Sequence, residues 1–147
     1  MTMEKKPWDY GPLRAAEGKP YLMSGDVPFF WMGDTAWLLF HLLNKEEVDL
    51  YLRNRAEKGY NVVQATLFHR EPDTNAYGAH AFVDMDMTKP CLDGEFTYWD
   101  MVDYVVETAE KYGIYMAMLP HWGSVYKAGL IHEDQVEAYA AFLAERY

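Results

Sequence analysis

Twice along this chain a helical pattern closes on glycine and passes straight into an apolar run, a joint that few folds accommodate. Ala56-Glu57-Lys58-Gly59 leads into Tyr60-Asn61-Val62-Val63-Gln64-Ala65-Thr66-Leu67-Phe68. Ala109-Glu110-Lys111-Tyr112-Gly113 leads into Ile114-Tyr115-Met116-Ala117-Met118-Leu119-Pro120. Glycine just past a helix supplies the left-handed residue that ends it, and an apolar run without alternation suits a parallel strand covered on both faces. A third helical pattern closes in Ala144-Glu145-Arg146-Tyr147, where a further strand is expected and the 147 residues stop. The expectation is an α/β chain that opens a larger protein.

The chain has one domain's worth of residues, half of them hydrophobic and 16% aromatic, which suits a packed core rather than disorder. A net charge of −10 argues against nucleic acid or an anionic membrane as partner, since both need clustered Lys and Arg. The single cysteine, Cys91, excludes an internal disulfide. Lys5-Lys6 is followed by Pro7-Trp8-Asp9-Tyr10 with no signal-like apolar stretch, and no run nears the ~20 apolar residues of a membrane span. These features predict a soluble, cytoplasmic protein.

Between Leu13 and Phe30, turn residues at Glu17-Gly18-Lys19-Pro20 and Ser24-Gly25-Asp26-Val27-Pro28 predict a small antiparallel hairpin. Phe29-Phe30-Trp31-Met32 then reads as a buried strand ending at Gly33-Asp34-Thr35. Asn44 with Glu47 forms a capping pair for the first long helix, whose apolar face is Val48, Tyr51, Leu52 and Ala56. A second helix starts near Thr97, with Tyr98, Met101, Val102, Val105, Ala109 and Tyr112 on one face. A third starts near His132, with Val136, Tyr139, Ala140 and Leu143 aligned. The stretch from His69 to Phe96 reads as a long loop, a length that usually signals function.

Strand–helix alternation implies parallel strands joined by right-handed crossovers, and such folds bind ligands at the carboxyl ends of the strands. That rule selects Asp34-Thr35-Ala36-Trp37, the segment from Gln64 through His69 and Arg70, and Pro120-His121-Trp122-Gly123. Aromatic rings beside carboxylate, amide and imidazole groups suit a sugar, whose C–H faces stack while its hydroxyls hydrogen-bond.

Five segments, in order, resemble the apiosidase-like glycoside hydrolases. They are Phe29-Phe30-Trp31-Met32-Gly33-Asp34-Thr35-Ala36-Trp37, Lys58-Gly59-Tyr60-Asn61-Val62-Val63-Gln64-Ala65, Asn75-Ala76-Tyr77-Gly78, Asp103-Tyr104-Val105-Val106 and Leu119-Pro120-His121-Trp122-Gly123. The resemblance covers nearly the whole chain. It implies a (β/α)₈ TIM barrel acting on plant-type glycans, often followed by a small β domain, with the catalytic carboxylates on strands well after the third. Residues 1–147 are then the amino-terminal part of one catalytic barrel, its first three strand–helix units, with residues 1–28 as a leading hairpin segment.

Each candidate also has a structural account. Asp34 either meets a substrate hydroxyl or holds a neighbouring Arg or His, caps a helix or fixes a loop. Gln64 in an apolar strand needs a partner, either a ligand in a barrel lumen or a buried polar neighbour. His121 and Trp122 form a sugar-binding wall or a packed pair, and Trp37 is wall or core. His69 follows the second strand directly, while Asn75 and Tyr77 rest on the resemblance. Glu71 and Asp73 read as solvated loop charges, and Asp84-Met85-Asp86 as a solvated loop without the glycine and glutamate of a calcium site. His41, His69, His80, His121 and His132 have no metal-ligand spacing, and neither a phosphate cradle nor a serine-hydrolase elbow is present.

The expectation is hydrolysis of an O-glycosidic bond, with this chain contributing the substrate-binding half through Asp34, Trp37, Gln64, His69, Asn75, Tyr77, His121 and Trp122. No catalytic residue, cofactor or metal is assigned; the paired carboxylates of a glycosidase stand roughly 5 Å or 6.5–9.5 Å apart, and the resemblance places them on later strands. The alternative is a non-catalytic carbohydrate-binding piece or an inactive truncated fragment, and a self-sufficient three-stranded domain is a third reading. The expected partners are a carbohydrate and, through an exposed sheet edge, a second copy of the chain.

Overall fold

The computed structural model describes residues 5–69 and 71–147. The first four residues of the expected leading segment, and Arg70, lie outside that range. After a short 3-10 turn at Pro7–Tyr10, β1 (Leu13–Ala15), β2 (Leu22–Ser24) and β3 (Val27–Phe29) form an antiparallel meander. The expected hairpin thus gains a strand, because Gly25 at φ 54° reverses the chain within the two residues that separate Ser24 from Val27. Then follow β4 (Gly33–Thr35), α1 (Leu39–Leu42), α2 (Lys45–Glu57), β5 (Val62–Thr66), β6 (Phe82–Val83), β7 (Asp86–Pro90), α3 (Tyr98–Lys111), β8 (Tyr115–Leu119), α4 (Gly123–Lys127) and α5 (Glu133–Arg146).

Strands β4, β5 and β8 make a parallel sheet in chain order. Both anticipated joints close it in the same way. Gly59 N–H donates to Ala56 O and Tyr60 N–H to Arg55 O; Gly113 N–H donates to Glu110 O and Ile114 N–H to Ala109 O. With Gly59 at φ 84° and Gly113 at φ 73°, these are Schellman ends that aim the chain back into the sheet. The same pattern recurs at Gly129 (φ 72°), where Leu130 N–H donates to Val125 O, and there it joins two helices rather than a helix and a strand. The helix starts are also as read. Asn44 and Glu47 exchange side-chain-to-backbone bonds of 2.9 Å, and Thr97 with Asp100 forms the equivalent box on α3.

The apolar run at Phe29–Met32 behaves differently from the expected buried strand. Phe29 is buried at the end of β3, but Phe30, Trp31 and Met32 are exposed, and the parallel strand begins only at Gly33. Asn61 explains the break. Its Nδ2 donates to Phe30 O (2.7 Å) and its Oδ1 accepts from Met32 N–H (2.9 Å), so a side-chain amide replaces the ladder between β3 and β4.

Alternation along the strands gives the sheet two unlike faces. Val63 and Ala65, with Met116 and Met118 in register beside them, pack into the core with Val48 and Leu52 of α2 and Met101, Val102, Val105 and Ala109 of α3. Thr35, Gln64 and Ala117 share a register row on the opposite face, which is only partly covered. At the amino end of β8, Trp8 and Phe29 meet the Tyr115 ring edge-on at 5.2 and 5.8 Å, so the leading meander closes the end away from the strand tips.

Within the described part of the stretch 69–96, β6 and β7 pair as an antiparallel hairpin and Thr74 bridges His80. Asp84 (φ 50°) and Met85 (φ 60°) form the two-residue turn of the β6–β7 hairpin, the backbone of a type I′ turn. Asp73, read from the sequence as a solvated charge, is 1% exposed. It accepts from His80 Nδ1 (2.7 Å) and Phe82 N–H (2.9 Å), partners that fold back only when the hairpin forms. On α5 only Tyr139 of the expected face is fully buried, while Val136 and Ala140 are exposed. Among the described residues no helix is long and apolar enough to cross a membrane.

Candidate functional site

Ladder-type bonds continue past the ends of all three parallel strands. Ala36 N–H donates to Gln64 O, Thr66 N–H to Trp37 O, Leu67 N–H to Leu119 O and Trp122 N–H to Phe68 O. Each bond sets the backbone just beyond one strand against its neighbour, so Trp37, His69 and Trp122 arrive side by side from distant parts of the sequence. The His69 ring stacks on Trp122 with centroids 5.5 Å apart and planes within 10°. Trp37 lies on Trp122 at 4.9 Å, tilted by 48°. Trp122 remains 36% exposed, and His121, partly exposed beside it, has Nδ1 3.4 Å from Trp122 O. A partly exposed aromatic surface at the carboxyl ends of parallel strands offers a π-face to a ring of C–H bonds.

His41, not read from the sequence as a site residue, holds this platform from beneath. It is buried in α1; His69 N–H donates to its Nε2 (3.2 Å), and its Nδ1 lies 3.1 Å from Thr74 O. A carbonyl only accepts and an amide N–H only donates, so these partners fix the neutral tautomer with the proton on Nδ1. One imidazole therefore pins both ends of the segment between His69 and Thr74. The signal was available: a histidine inside Leu38-Leu39-Phe40-His41-Leu42-Leu43 is buried only if both nitrogens are satisfied.

The other candidates are placed as follows. Gln64 sits half-buried on the partly covered sheet face, in register with Thr35 and Ala117. Asp34 lies in register with Val63, on the helix side. Its Oδ2 accepts from Tyr51 OH (2.9 Å) and Arg55 Nη1 (2.8 Å), and its Oδ1 from Thr35 N–H (2.8 Å), so the carboxylate ties β4 to α2. Asn75 Oδ1 accepts from Tyr77 N–H and Ala79 N–H and shapes a turn. Tyr77 OH accepts from Lys45 N–H at the first turn of α2 (3.0 Å), and its ring meets Phe96 edge-on. Trp37 and His69 thus each meet the Trp122 ring, with His121 adjoining, whereas Asp34, Asn75 and Tyr77 bond to the protein around them.

Partial burial opposes the charge on Asp34, but the hydrogen bonds from Tyr51, Thr35 and Arg55 and the guanidinium charge outweigh it and hold the carboxyl below its ordinary range. Burial, together with the same contact, drives the Tyr51 hydroxyl well upward. A depressed carboxyl contributes stability that is present above its unfolded value of about 3.9 and is lost as pH falls through the folded value. Wild type should therefore lose Tm progressively as pH falls below about 4, and Asp34→Asn should show a shallower fall from a lower starting Tm. Parallel curves for the two proteins between pH 6 and pH 3 would show that the ion pair carries none of the acid sensitivity.

The profile of the family described as "Apiosidase-like, catalytic domain" matches residues 16–147. A solved structure described as a glycoside hydrolase aligns with a TM-score of 0.90 and 38% identity, over 97% of this chain and 33% of its own. A glycoside hydrolase family 5 protein from Bacteroides vulgatus ATCC 8482 aligns with a TM-score of 0.91 and 38% identity, over 97% and 32%. The chain therefore spans about a third of the length of these structures. No curated protein sequence matches it.

Proposed function

This chain belongs to the apiosidase-like catalytic-domain family, and on that premise we propose that it is the glycan-holding part of a (β/α)₈ glycoside hydrolase that cleaves O-glycosidic bonds of plant-type glycans. The barrel reading is supported by parallel strands in chain order, helices packed on one face, and a close fit to about a third of two glycoside hydrolase structures. The observation that carries the functional reading is the platform of Trp37, His69 and Trp122 at the carboxyl ends of β4, β5 and β8. In this reading a sugar ring stacks on Trp122 and Trp37, while His69, His121 and the Gln64 amide meet hydroxyls. Asp34, Asn75 and Tyr77 line the same rim through the segments that they brace.

Two carboxylates, on β4 and in the loop after β5, are already engaged within the protein, which favours a binding role for this part. Asp34 is committed to Arg55 and Tyr51, and Asp73 to His80 and Phe82 N–H. We therefore assign the acid and the nucleophile or base to no described residue. Trp122→Ala tests the platform, since the alanine keeps the backbone bond to Phe68 O and removes only the partly exposed ring. Stacking contributes about 0.5–1.5 kcal/mol beyond area burial, so affinity for pectic oligosaccharides should fall several-fold or more, with Tm nearly unchanged. Unchanged binding by calorimetry, with a collapse in Tm, would identify Trp122 as a core residue and remove the platform.

A further inference from the structure

We propose that the pocket between Glu71–Asp73 and the β6–β7 hairpin is a second sugar subsite, which holds a neutral sugar residue of the same glycan a step away from the aromatic platform. The proposal rests on the glycan-binding reading above. The pocket encloses about 380 Å³, and its lining includes Pro72, Phe82 and Met85 as apolar surface and Glu71, Asp73 and His80 as polar groups. That volume lies at the small end of ligand sites, suited to one or two rings.

Its polar centre is built rather than incidental. Asp73 is 1% exposed and uses both oxygens, Oδ2 on Phe82 N–H and Oδ1 on His80 Nδ1. The Phe82 bond alone would anchor the hairpin. The second oxygen instead orients an imidazole whose side chain is 59% exposed. With Nδ1 carrying the proton toward the carboxylate, Nε2 is left for a ligand, and no described residue bonds to it. An oriented imidazole and the Glu71 carboxylate beside the apolar Pro72, Phe82 and Met85 match a ring that offers hydroxyls on one side and C–H bonds on the other.

Charge and donor number narrow the ligand further. Glu71, Asp73 and Asp84 all line the pocket, which disfavours phosphate or carboxylate ligands. Among the described residues no group of three His, Cys, Asp or Glu side chains could hold a metal ion. The pocket is also mechanically joined to the platform. Glu71 follows His69 by two positions, and the His41 imidazole binds His69 N–H at one end of that segment and lies against Thr74 O at the other. The same imidazole thus ties backbone beside the platform to backbone beside the pocket.

The test uses calorimetric titration of the protein with a neutral, arabinan-type tetrasaccharide and the corresponding disaccharide, comparing wild type, His80→Ala, Val83→Trp and Trp122→Ala. His80→Ala should weaken the tetrasaccharide about tenfold and leave the disaccharide unchanged, the loss expected for one oriented hydrogen bond. Val83→Trp, which fills the pocket and leaves the Asp73–His80 pair in place, should do the same. Trp122→Ala should weaken both sugars. If neither pocket variant changes tetrasaccharide affinity while Trp122→Ala does, the subsite is overturned and the platform stands. If the pocket variants weaken the tetrasaccharide and Trp122→Ala changes nothing, the platform reading fails and the pocket remains as a glycan site. Competition by an alkylammonium probe at the pocket, with no sugar dependence on His80, would overturn the proposal in favour of a cation site. Unchanged Tm in the pocket variants confirms that binding, not folding, is being read.

Discussion

Trp99→Ala is expected to abolish cooperative folding of the chain or to leave it barely stable. The indole is fully buried and meets four other rings, Tyr98, Phe82, Tyr139 and Phe142, at centroid distances from 4.7 to 6.3 Å. Those rings come from α3, the β6–β7 hairpin and α5, so a single side chain joins three elements. Its Nε1 donates to Ala81 O, which also accepts from Cys91 N–H and therefore keeps a partner in the mutant. The loss is thus one of packing, about 3–5 kcal/mol for a large aromatic cut to alanine. Against a total stability of about 5–15 kcal/mol, that is a large share. Urea unfolding followed by circular dichroism measures it. Trp99→Phe, which keeps a ring and loses the N–H, should retain a cooperative transition at a reduced midpoint. A wild-type midpoint for Trp99→Ala would mean that α5 and the hairpin are held independently of this contact.

The 147-residue chain is expected to self-associate when expressed alone, through the edge of β8 that no described strand pairs, and Met118→Pro should shift it toward monomer. All five residues of β8 are only half-buried. Parallel pairing directs alternate residues toward the neighbouring strand. Tyr115 N–H donates to Asn61 O, and Leu119 O accepts from Leu67 N–H, so Tyr115, Ala117 and Leu119 face β5. Met116 and Met118 therefore turn their amide and carbonyl groups outward, a template for another strand. Proline at 118 removes an outward donor and spares the ladder to β5. Analytical ultracentrifugation of both proteins, with amide exchange of Met116 and Met118, reads the result. A wild-type chain that sediments as one monomeric species with strongly protected outward amides would show that the edge is already covered.

What was legible in the chain was local. The glycine joints at Gly59 and Gly113 and the capping boxes at Asn44 and Thr97 depend on residues three to five positions apart, so the residues that determine them are neighbours in the sequence. The parallel order of β4, β5 and β8 follows from those joints, and the rule that strand ends carry function led to Trp37, His69 and Trp122. The meeting of Trp37 and His69 on Trp122 was not legible, because it requires the three strand ends to be brought into register.

Partner choice across distance was decided only in the folded molecule. Asp34 had several readings until Tyr51 and Arg55, 17 and 21 residues on, came within reach on α2. Asp73 looked like a solvated charge because His80 and Phe82 face it only after the hairpin closes. Trp99 lay off the expected apolar face of α3, yet it is buried because α5 and the hairpin cover a second side of that helix. Phe30, Trp31 and Met32 erred in the other direction, an apolar run left exposed where the Asn61 amide interrupts the pairing. Helix caps and strand joints are short-range hydrogen-bond problems that a sequence poses and answers by itself. The burial of a charge or a ring depends on which remote surface arrives to cover it, and that was settled by tertiary packing.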